Sequence, residues 1–448
     1  MASGKRIESV FCINHPRAAE LEQLFRDIVR SVAQDEGAYN KLNKEKNNNK
    51  YDRLLLNFIQ EKFNSLTDGM DLKLHGEEKK RFFEDVLDDI KGLGPVEQLL
   101  RDPEVTEIMV NGPNCIFVEK GGKNCLTPLR FIDREHLLSS IQEIVGPVNR
   151  RIDISSPMVD ARLPNGSRVN AVINPVALDG PYLTIRKFPE NRHSLEKLIQ
   201  FGSITAEIAE FFRIAVQARL NIMISGGTGT GKTTMLNVLS EFISPESRIV
   251  IVEDTAELTI HKGRKNVCRL EVRPANLEGK GEISIRQLVR NTLRMRPDRI
   301  VVGEVRGEEA FDLVQAMNTG HDGSLTTLHA NSCRDALHRL EAMVIMAGTN
   351  LTQESIRDLI TSAINLVVHL ARFRDGSRKI VEVTAVEPAG ADGKIKAVPL
   401  WTYSPDSVSV KDNITGEYLF HGIPEQTRER IEAQGYPLPE MLSTQNLK

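Results

Sequence analysis

The sequence predicts an α/β protein in which a phosphate-binding loop follows one strand of a parallel sheet. The first supporting observation is Gly-Gly-Thr-Gly-Thr-Gly-Lys-Thr at residues 226–233, which matches the pattern G-x-x-x-x-G-K-[ST]. The apolar run Ile222-Met223-Ile224 precedes this loop and Thr234-Met235-Leu236 opens a helical pattern after it, so the loop has its strand–loop–helix context. The second observation is that apolar strands alternate with helical patterns from Thr205 to about Val386, which is typical of helical crossovers over a parallel sheet.

The bulk composition argues against several classes of protein. The 448 residues are enough for two or three domains, and a formal net charge of −3 argues against a general nucleic-acid binder. The five cysteines are scattered without a C-x-x-C pair or Cys/His metal spacing, so we expect neither a disulfide framework nor a zinc site. The N-terminus lacks a signal-peptide pattern, and no stretch approaches roughly 18 apolar residues. We therefore expect a cytoplasmic protein whose membrane contacts are peripheral.

The N-terminal part of the chain is predicted to contain a helical module followed by a mixed domain. Apolar residues recur at helical spacing in three stretches before residue 95, which predicts a helical module over residues 1–95. Residues 96–188 are predicted to form an α+β domain with a helix near residues 135–145 and a hairpin turn at Pro164-Asn165-Gly166-Ser167. Its predicted strands are residues 105–110, 115–119, 126–131, 160–163, 168–172 and 183–186.

The remaining chain is predicted to be a linker, the P-loop domain and a small appendage. Residues 189–204 interrupt any regular pattern and are interpreted as the linker. The P-loop domain then covers residues 205–387, and residues 388–448 are a small C-terminal appendage with the single tryptophan, Trp401. The predicted strands of the P-loop domain are Ile222–Ser225, Ile249–Val252, Ile300–Val302, Leu325–Leu328 and Leu366–Leu370.

The loop residues have distinct predicted roles in nucleotide binding. Glycine lets the backbone wrap closely around phosphate oxygens, and the helix N-terminus adds a partial positive charge. Lys232 is expected to reach the β- and γ-phosphates, and the Thr233 hydroxyl is expected to bind Mg²⁺. The full set of expected contacts to ATP is Gly227, Thr228, Gly229, Thr230, Gly231, Lys232, Thr233 and Thr234.

Polar side chains follow three of the predicted strands, where open α/β sheets bind their ligands. Glu253 leaves the strand 249–252 and is a candidate to orient or deprotonate the attacking water, with Glu257 as a weaker candidate. Glu304 ends the strand 300–302 and is expected to hold Mg²⁺ through water, opposite Thr233. His329 ends the strand 325–328 and is a candidate γ-phosphate sensor, with His321 expected near the same site.

Arginines in the preceding domain are candidates for charge compensation. Arg162, Arg168 and Arg186 flank the predicted hairpin. An arginine carried on that domain could reach a nucleotide across a domain cleft and offset the charge that develops in the transition state.

Four segments have highly specific sequences. They are MRPDRIVVGEVRG at 295–307, MNTGHDGSLTTLHAN at 317–331, DARLPNGSRVN at 160–170 and LTIRKF at 183–188. These segments resemble the secretion superfamily of P-loop ATPases, which serves type II and type IV secretion and the type IV and Flp pili. The likeness is strong over roughly residues 80–375, and within the superfamily it is greatest to the CpaF branch of Flp-pilus assembly ATPases. The four-cysteine zinc insertion of the type II branch is absent from the sequence.

The resemblance implies a fold, an assembly and a set of site residues. It implies a RecA-like motor domain behind an α+β (PAS-like) domain, and a toroidal homo-hexamer with nucleotide at subunit or domain interfaces. Residues 253–257 match the Asp box with its catalytic glutamate, Glu304 matches Walker B, and His321 and His329 match the His box. Arg186, with Arg162 or Arg168, matches the arginines that reach the γ-phosphate.

The leading functional hypothesis is an ATP-hydrolysing hexamer at the inner membrane. It would dock on a polytopic platform protein and use ATP with Mg²⁺ to drive pilus assembly or secretion. The first alternative is a motor that translocates nucleic acid, which the charge and the absence of an aromatic–basic stripe disfavour. A non-hydrolysing scaffold and a small-molecule kinase are further alternatives.

Overall fold

The computed structural model describes most of the chain as two compact units, Met1–Glu190 and Asn191–Lys448. They are called the N-terminal and the C-terminal unit below. Among the described residues, no helix is both long enough and apolar enough to cross a membrane. The described residues are 18–34, 51–68, 74, 76–90, 93–148, 150–188, 194–260, 263–273, 275, 280–388, 394–406 and 414–443.

The N-terminal unit consists of helices packed with a six-stranded antiparallel sheet of order β3-β2-β1-β6-β5-β4. The helices and the sheet share one hydrophobic core, which includes Phe25, Val86, Ile108 and Ile185. The predicted helical module and α+β domain thus lie in one compact unit. The helices are α1 Ala18–Gln34, α2 Tyr51–Thr67, α3 Gly76–Ile90, α4 Pro95–Arg101 and α5 Arg134–Val145, and the strands are β1 Val105–Asn111, β2 Ile116–Lys120, β3 Lys123–Leu126, β4 Met158–Arg162, β5 Arg168–Val172 and β6 Tyr182–Arg186.

One strand of this unit differs from the sequence-based prediction. A strand was expected over residues 126–131, but β3 ends at Leu126. The backbone N–H and the hydroxyl of Thr127 both donate to the Ile116 carbonyl, at 2.9 Å each, and Pro128 has no N–H with which to continue the ladder. The chain therefore leaves the sheet, and Phe131 is buried in the core instead.

The C-terminal unit contains a nine-stranded sheet of order β15-β14-β13-β12-β7-β11-β10-β8-β9. Six neighbouring strands are parallel to one another, namely β12, β7, β11, β10, β8 and β9. Next to β12, the strands β13, β14 and β15 extend the sheet with antiparallel pairing. This is the RecA-like motor fold, so the predicted α/β class is confirmed. The strands are β7 Ile222–Gly226, β8 Ile249–Glu253, β9 Val267–Glu271, β10 Arg299–Val305, β11 Leu325–Leu328, β12 Leu366–Arg372, β13 Arg378–Glu387, β14 Lys396–Pro405 and β15 Gly416–Phe420.

Helices cover this sheet, and hydrophobic clusters pack against it. One cluster includes Leu236 and Ile251, and another includes Val302 and Leu337. Because the central strands are parallel, the carboxyl ends of β7, β8, β10 and β11 lie at one edge of the sheet. The helices are α6 Leu195–Gln200, α7 Ala206–Gln217, α8 Lys232–Glu241, α9 Ile285–Thr292, α10 Glu309–Asn318, α11 Cys333–Met346, α12 Gln353–Ala363, α13 Glu425–Ala433 and α14 Glu440–Ser443.

Two segments of this unit are more ordered than the sequence pattern indicated. The predicted linker contains α6, whose N-cap Ser194 accepts a hydrogen bond from Lys197 N and which buries Leu198. The residues assigned to the C-terminal appendage form β14 and β15 of the main sheet. Trp401 on β14 is 1% exposed and packs against Phe211 and Phe420, so it belongs to the motor core.

Candidate nucleotide-binding site

The loop between β7 and α8 has the backbone conformation of a phosphate cradle. Gly229 and Gly231 have φ angles of 71° and 97°, which side chains other than glycine rarely adopt. Gly231 is the N-cap of α8, and its carbonyl accepts a hydrogen bond from Met235 N at 2.9 Å. Residues 227–231 form the turn, and Lys232, Thr233 and Thr234 form the first turn of the helix. Successive N–H groups of such a loop and helix start can converge on a phosphate.

Lys232 lies inside the loop with its ammonium group almost covered. The residue is 8% exposed, and Nζ donates to the carbonyls of Gly226 at 3.0 Å and Gly227 at 2.8 Å. Nζ also lies 3.3 Å from His329 Nε2. The carbonyl oxygens and the neighbouring ring thus hold the positive charge of Lys232 inside the cradle, where phosphates would bind.

Glu304 connects the cradle to neighbouring strands. Its Oε1 lies 3.2 Å from His329 Nε2, and its Oε2 accepts a hydrogen bond from Arg306 at 2.9 Å. Arg306 also pairs with Asp254 at 3.3 Å, just beyond β8. Burial would raise the pKa of Glu304, but the hydrogen bond and charge of Arg306, with the charges of His329 and Lys232, outweigh it and lower the pKa. Glu304 is therefore ionised at neutral pH.

His329 bridges the lysine and the acid, whereas His321 does not. Burial, followed by the charge of Lys232, lowers the pKa of His329 despite the opposing charge of Glu304, so the ring is neutral at pH 7. His321 precedes β11, and its Nδ1 lies 3.1 Å from the Ala316 carbonyl of α10. β11 separates the two histidines, so His321 precedes the amino end of this strand and His329 follows its carboxyl end. The expectation that His321 lies near this site is therefore wrong.

Glu253 ends β8 with a buried side chain that is held by backbone amides. It is 3% exposed, and its Oε1 accepts hydrogen bonds from Glu257 N and Leu258 N, at 2.7 Å each. Burial raises its pKa to about 7, although both hydrogen bonds act in the opposite direction. Gly303 gives this side chain room, since a Cβ at position 303 would lie 3.1 Å from Glu253 Cγ.

The residues present fit a magnesium–nucleotide complex better than a metal site made by the protein alone. Among the described residues, no group of three or more His, Cys, Asp or Glu side chains could hold a metal ion. Glu304 supplies an ionised carboxylate, and Thr233 is a half-buried hydroxyl residue at the start of α8. Mg²⁺ usually takes one or two protein ligands and obtains the rest from phosphates and water.

Three arginines of the N-terminal unit form a row across its sheet. Arg162 lies opposite Arg168, Arg168 lies opposite Arg186, and Arg186 lies opposite Glu107. Cross-strand partners place their side chains on the same face, and like charges there repel. The Arg186–Glu107 pair is long at 3.8 Å, and both side chains are partly exposed. Such a row of cations favours binding of an anion.

Sequence reasoning missed two residues that support the site. Arg306 joins Glu304 to Asp254, and its position two residues after Glu304, directly after the end of β10, was a usable signal because side chains of extended chain alternate with period two. Asn237 donates to the Thr233 carbonyl at 3.0 Å and accepts from Thr259 N at 2.9 Å. It thereby ties the first turn of α8 to the segment that follows Glu253. The sequence carried no comparable signal for this contact.

The fold and the site together define a RecA-like P-loop protein with a candidate nucleotide-binding site at the carboxyl ends of its parallel strands. Residues 89–397 match the family model described as "Type II/IV secretion system protein". The chain belongs to this family.

Two relatives agree with this assignment, and one solved structure shares the fold. The chain is 37% identical over 319 residues to a putative conjugal transfer protein of Mycobacterium tuberculosis, covering 70% of this chain and 89% of that protein. It is 33% identical over 318 residues to the type IV secretion system protein VirB11 of Brucella suis, covering 65% of this chain and 88% of the relative. The crystal structure of the pilus retraction motor PilT with bound ADP matches with a TM-score of 0.50 at 19% identity, covering 66% and 83% of the two chains, which shows the shared fold.

Proposed function

We propose that the chain is an ATP-hydrolysing motor that drives pilus assembly or protein secretion at the inner membrane. It would act as a cytoplasmic homo-hexamer, peripheral to the membrane and docked on a polytopic platform protein of a pilus or secretion system. The family and the names of the relatives support secretion, and the sequence motifs favour the Flp-pilus branch related to CpaF. The observation that carries the proposal is the convergence of Lys232, His329 and Glu304 beside a buried Glu253 whose pKa is about 7.

The proposed mechanism assigns a separate task to each side chain. Lys232 and the N–H groups of the loop would bind the phosphates, and Glu304, through water, and Thr233 would hold Mg²⁺. When bound, Mg²⁺ supplies positive charge that offsets the charge of the phosphate oxygens. Glu253 accepts a proton from the attacking water. Neutral His329 contacts both Lys232 and Glu304, so a movement of the lysine on phosphate binding would change the contact of His329 with the acid.

Glu253 is suited to act as a base near neutral pH. An exposed glutamate with an ordinary pKa is a weak proton acceptor, whereas a pKa near the working pH gives both a carboxylate and a useful driving force. Burial supplies the shift, and the two amides on Oε1 fix the orientation. Oε2 accepts neither of these hydrogen bonds and is assigned to the water.

The activity is therefore expected to rise with pH through about 7. Below that pH Glu253 is protonated and cannot accept a proton, so kcat/KM should fall about tenfold per unit of pH and reach a plateau above it. Steady-state phosphate release measured from pH 5.5 to 8.5 at saturating Mg²⁺ checks this. Circular dichroism at each pH controls for unfolding. A rate that is flat over this range would contradict the role of Glu253.

The arginine row of the N-terminal unit is proposed to offset charge on the γ-phosphate. Arg186→Ala is expected to lower kcat about 100-fold, as for loss of a donor to a developing oxyanion. The unfolding temperature of this variant should change little. The lost ion pair with Glu107 is long and partly exposed, so it contributes little stability, and the substitution also removes repulsion from the neighbouring arginines. The exposed Arg150→Ala in the same unit is the matched control. Equal kcat values for Arg186→Ala and the control would refute this role.

Phosphate release in the presence and absence of single-stranded DNA tests the proposed function against its alternative. A secretion or pilus motor should hydrolyse ATP without nucleic acid. Stimulation by DNA that disappears steeply with added salt would instead favour a nucleic-acid motor. Nucleotide binding without phosphate release would favour a scaffold.

A further inference from the structure

The hairpin between β12 and β13 contacts the P-loop at Gly229. Arg378, the first residue of β13, donates a hydrogen bond from Nε to the Gly229 carbonyl at 2.8 Å. Arg372, the last residue of β12, lies opposite Arg378 in the strand register. A Cβ added to Gly229 would lie 3.4 Å from Arg372 Nη1. Two guanidinium groups that sequence reasoning did not assign are thus beside the centre of the loop.

The bond from Arg378 determines the orientation of one peptide group in the cradle. The peptide that joins Gly229 to Thr230 is planar and trans, so its C=O and N–H point in opposite directions. Since Arg378 holds the carbonyl, the N–H of Thr230 points away from the hairpin. The direction of N–H groups is what makes a P-loop bind phosphate, and glycine at 229 leaves this peptide free to rotate unless a contact holds it.

The hairpin itself is fixed at its turn and along β12. Asp375 Oδ1 accepts hydrogen bonds from Ser377 N at 2.9 Å and Ser377 Oγ at 2.6 Å. Asp375 Oδ2 accepts one from Ile414 N at 2.8 Å, in the connection between β14 and β15. β12 pairs with β7 as far as Leu370 opposite Gly226, where the P-loop begins. The C-terminal strands therefore support the turn that carries Arg378.

We propose that Arg378 is a positioning residue for the nucleotide phosphates. It holds the Gly229–Thr230 peptide with its N–H directed towards the phosphates, and Asp375 keeps the hairpin in place for that contact. Ile414, within the residues 388–448 predicted as an appendage, thereby supports nucleotide binding through its hydrogen bond to Asp375. This inference rests on the proposed function, since it names a further determinant of the same site.

Equilibrium binding of a fluorescent ADP analogue to the full chain with Mg²⁺ tests the proposal without requiring turnover. Loss of one charge-assisted hydrogen bond in Arg378→Ala should raise Kd about tenfold, with kcat at saturating ATP within about threefold of wild type. Arg378→Lys keeps the charge but lacks the planar Nε–H, so it should restore only part of the affinity. Arg374→Ala, an exposed arginine of the same turn, should stay within about twofold.

A double-mutant cycle tests whether Asp375 acts through Arg378. Asp375→Ala should weaken binding several-fold in the wild-type background and less than about twofold when Arg378 is already alanine. Thermal unfolding of each variant identifies any that fail to fold, and Arg378→Lys then replaces Arg378→Ala in the cycle.

Several outcomes would overturn this inference. Binding by Arg378→Ala within twofold of wild type, or an equal loss in Arg374→Ala, would exclude the positioning role. If Asp375→Ala weakens binding equally with and without Arg378, Asp375 does not act through Arg378. Wild-type protein that binds the analogue but releases no phosphate would refute the proposed hydrolysis while leaving the binding comparison intact. Wild-type protein that does not bind it would overturn both.

Discussion

Lys232→Ala is expected to reduce phosphate release at least about 100-fold and to weaken nucleotide binding. Lys232 is 8% exposed and its ammonium group donates to the Gly226 and Gly227 carbonyls, so its charge lies inside the cradle rather than in solvent. A fixed charge in such a buried site stabilises the transition state far more than an exposed charge does. Phosphate release and analogue binding measure the two effects.

A second lysine provides the control for this substitution. Lys265 is exposed in the same unit, and Lys265→Ala removes the same charge from the whole protein. It should leave turnover and binding within about twofold. Near-wild-type turnover in Lys232→Ala would be incompatible with a phosphate-binding lysine at this position.

Glu253→Gln is expected to separate catalysis from binding. Glutamine has nearly the shape of glutamate, and its Oε1 can still accept the hydrogen bonds from Glu257 N and Leu258 N. The amide cannot accept a proton from water, so kcat should fall about 10²–10⁴-fold while the Kd for nucleotide changes little. The rise of the residual rate through pH 7 should also disappear. Rapid-quench and binding measurements at pH 7.5 test the first effect, and phosphate release by the variant from pH 5.5 to 8.5 tests the second.

Glu257→Gln is the matched comparison, because sequence reasoning considered both acids. Glu257 donates its backbone N–H to Glu253, and this contact does not depend on the Glu257 side chain. The variant should therefore keep most of its turnover. A large loss in Glu257→Gln with normal kcat in Glu253→Gln would move the catalytic base to the other acid.

The central sheet and the ends of its strands were predictable because the information is local. β7, β8, β10 and β11 are short apolar runs, and parallel strands must bring their carboxyl ends to one edge. Glu253 and Glu304 lie at the carboxyl ends of β8 and β10, and His329 and Lys232 come after β11 and β7, so their common location could be inferred without coordinates.

Contacts between segments distant in sequence were not predictable from a single chain. The pair Asp375-Gly376 is a local signal for a hairpin between β12 and β13. Nothing local indicates that this hairpin carries Arg378 to Gly229, 149 residues earlier. β9 was missed because its sequence, VCRLE, is mixed and lies at a sheet edge. His321 was misplaced because its motif also contains His329, although a whole strand separates the two residues. In each case the position of the residue or strand is set by how the strands pair in the folded sheet.

Steady-state phosphate release by the wild-type chain, measured beside Glu253→Gln at pH 7.5 with ATP and Mg²⁺ and without nucleic acid, tests the central claim most directly. The structure predicts sustained turnover by the wild type and at least about a 100-fold lower rate in the variant, with both proteins binding nucleotide. Wild-type protein that binds nucleotide without releasing phosphate, or equal rates for the two proteins, would contradict it.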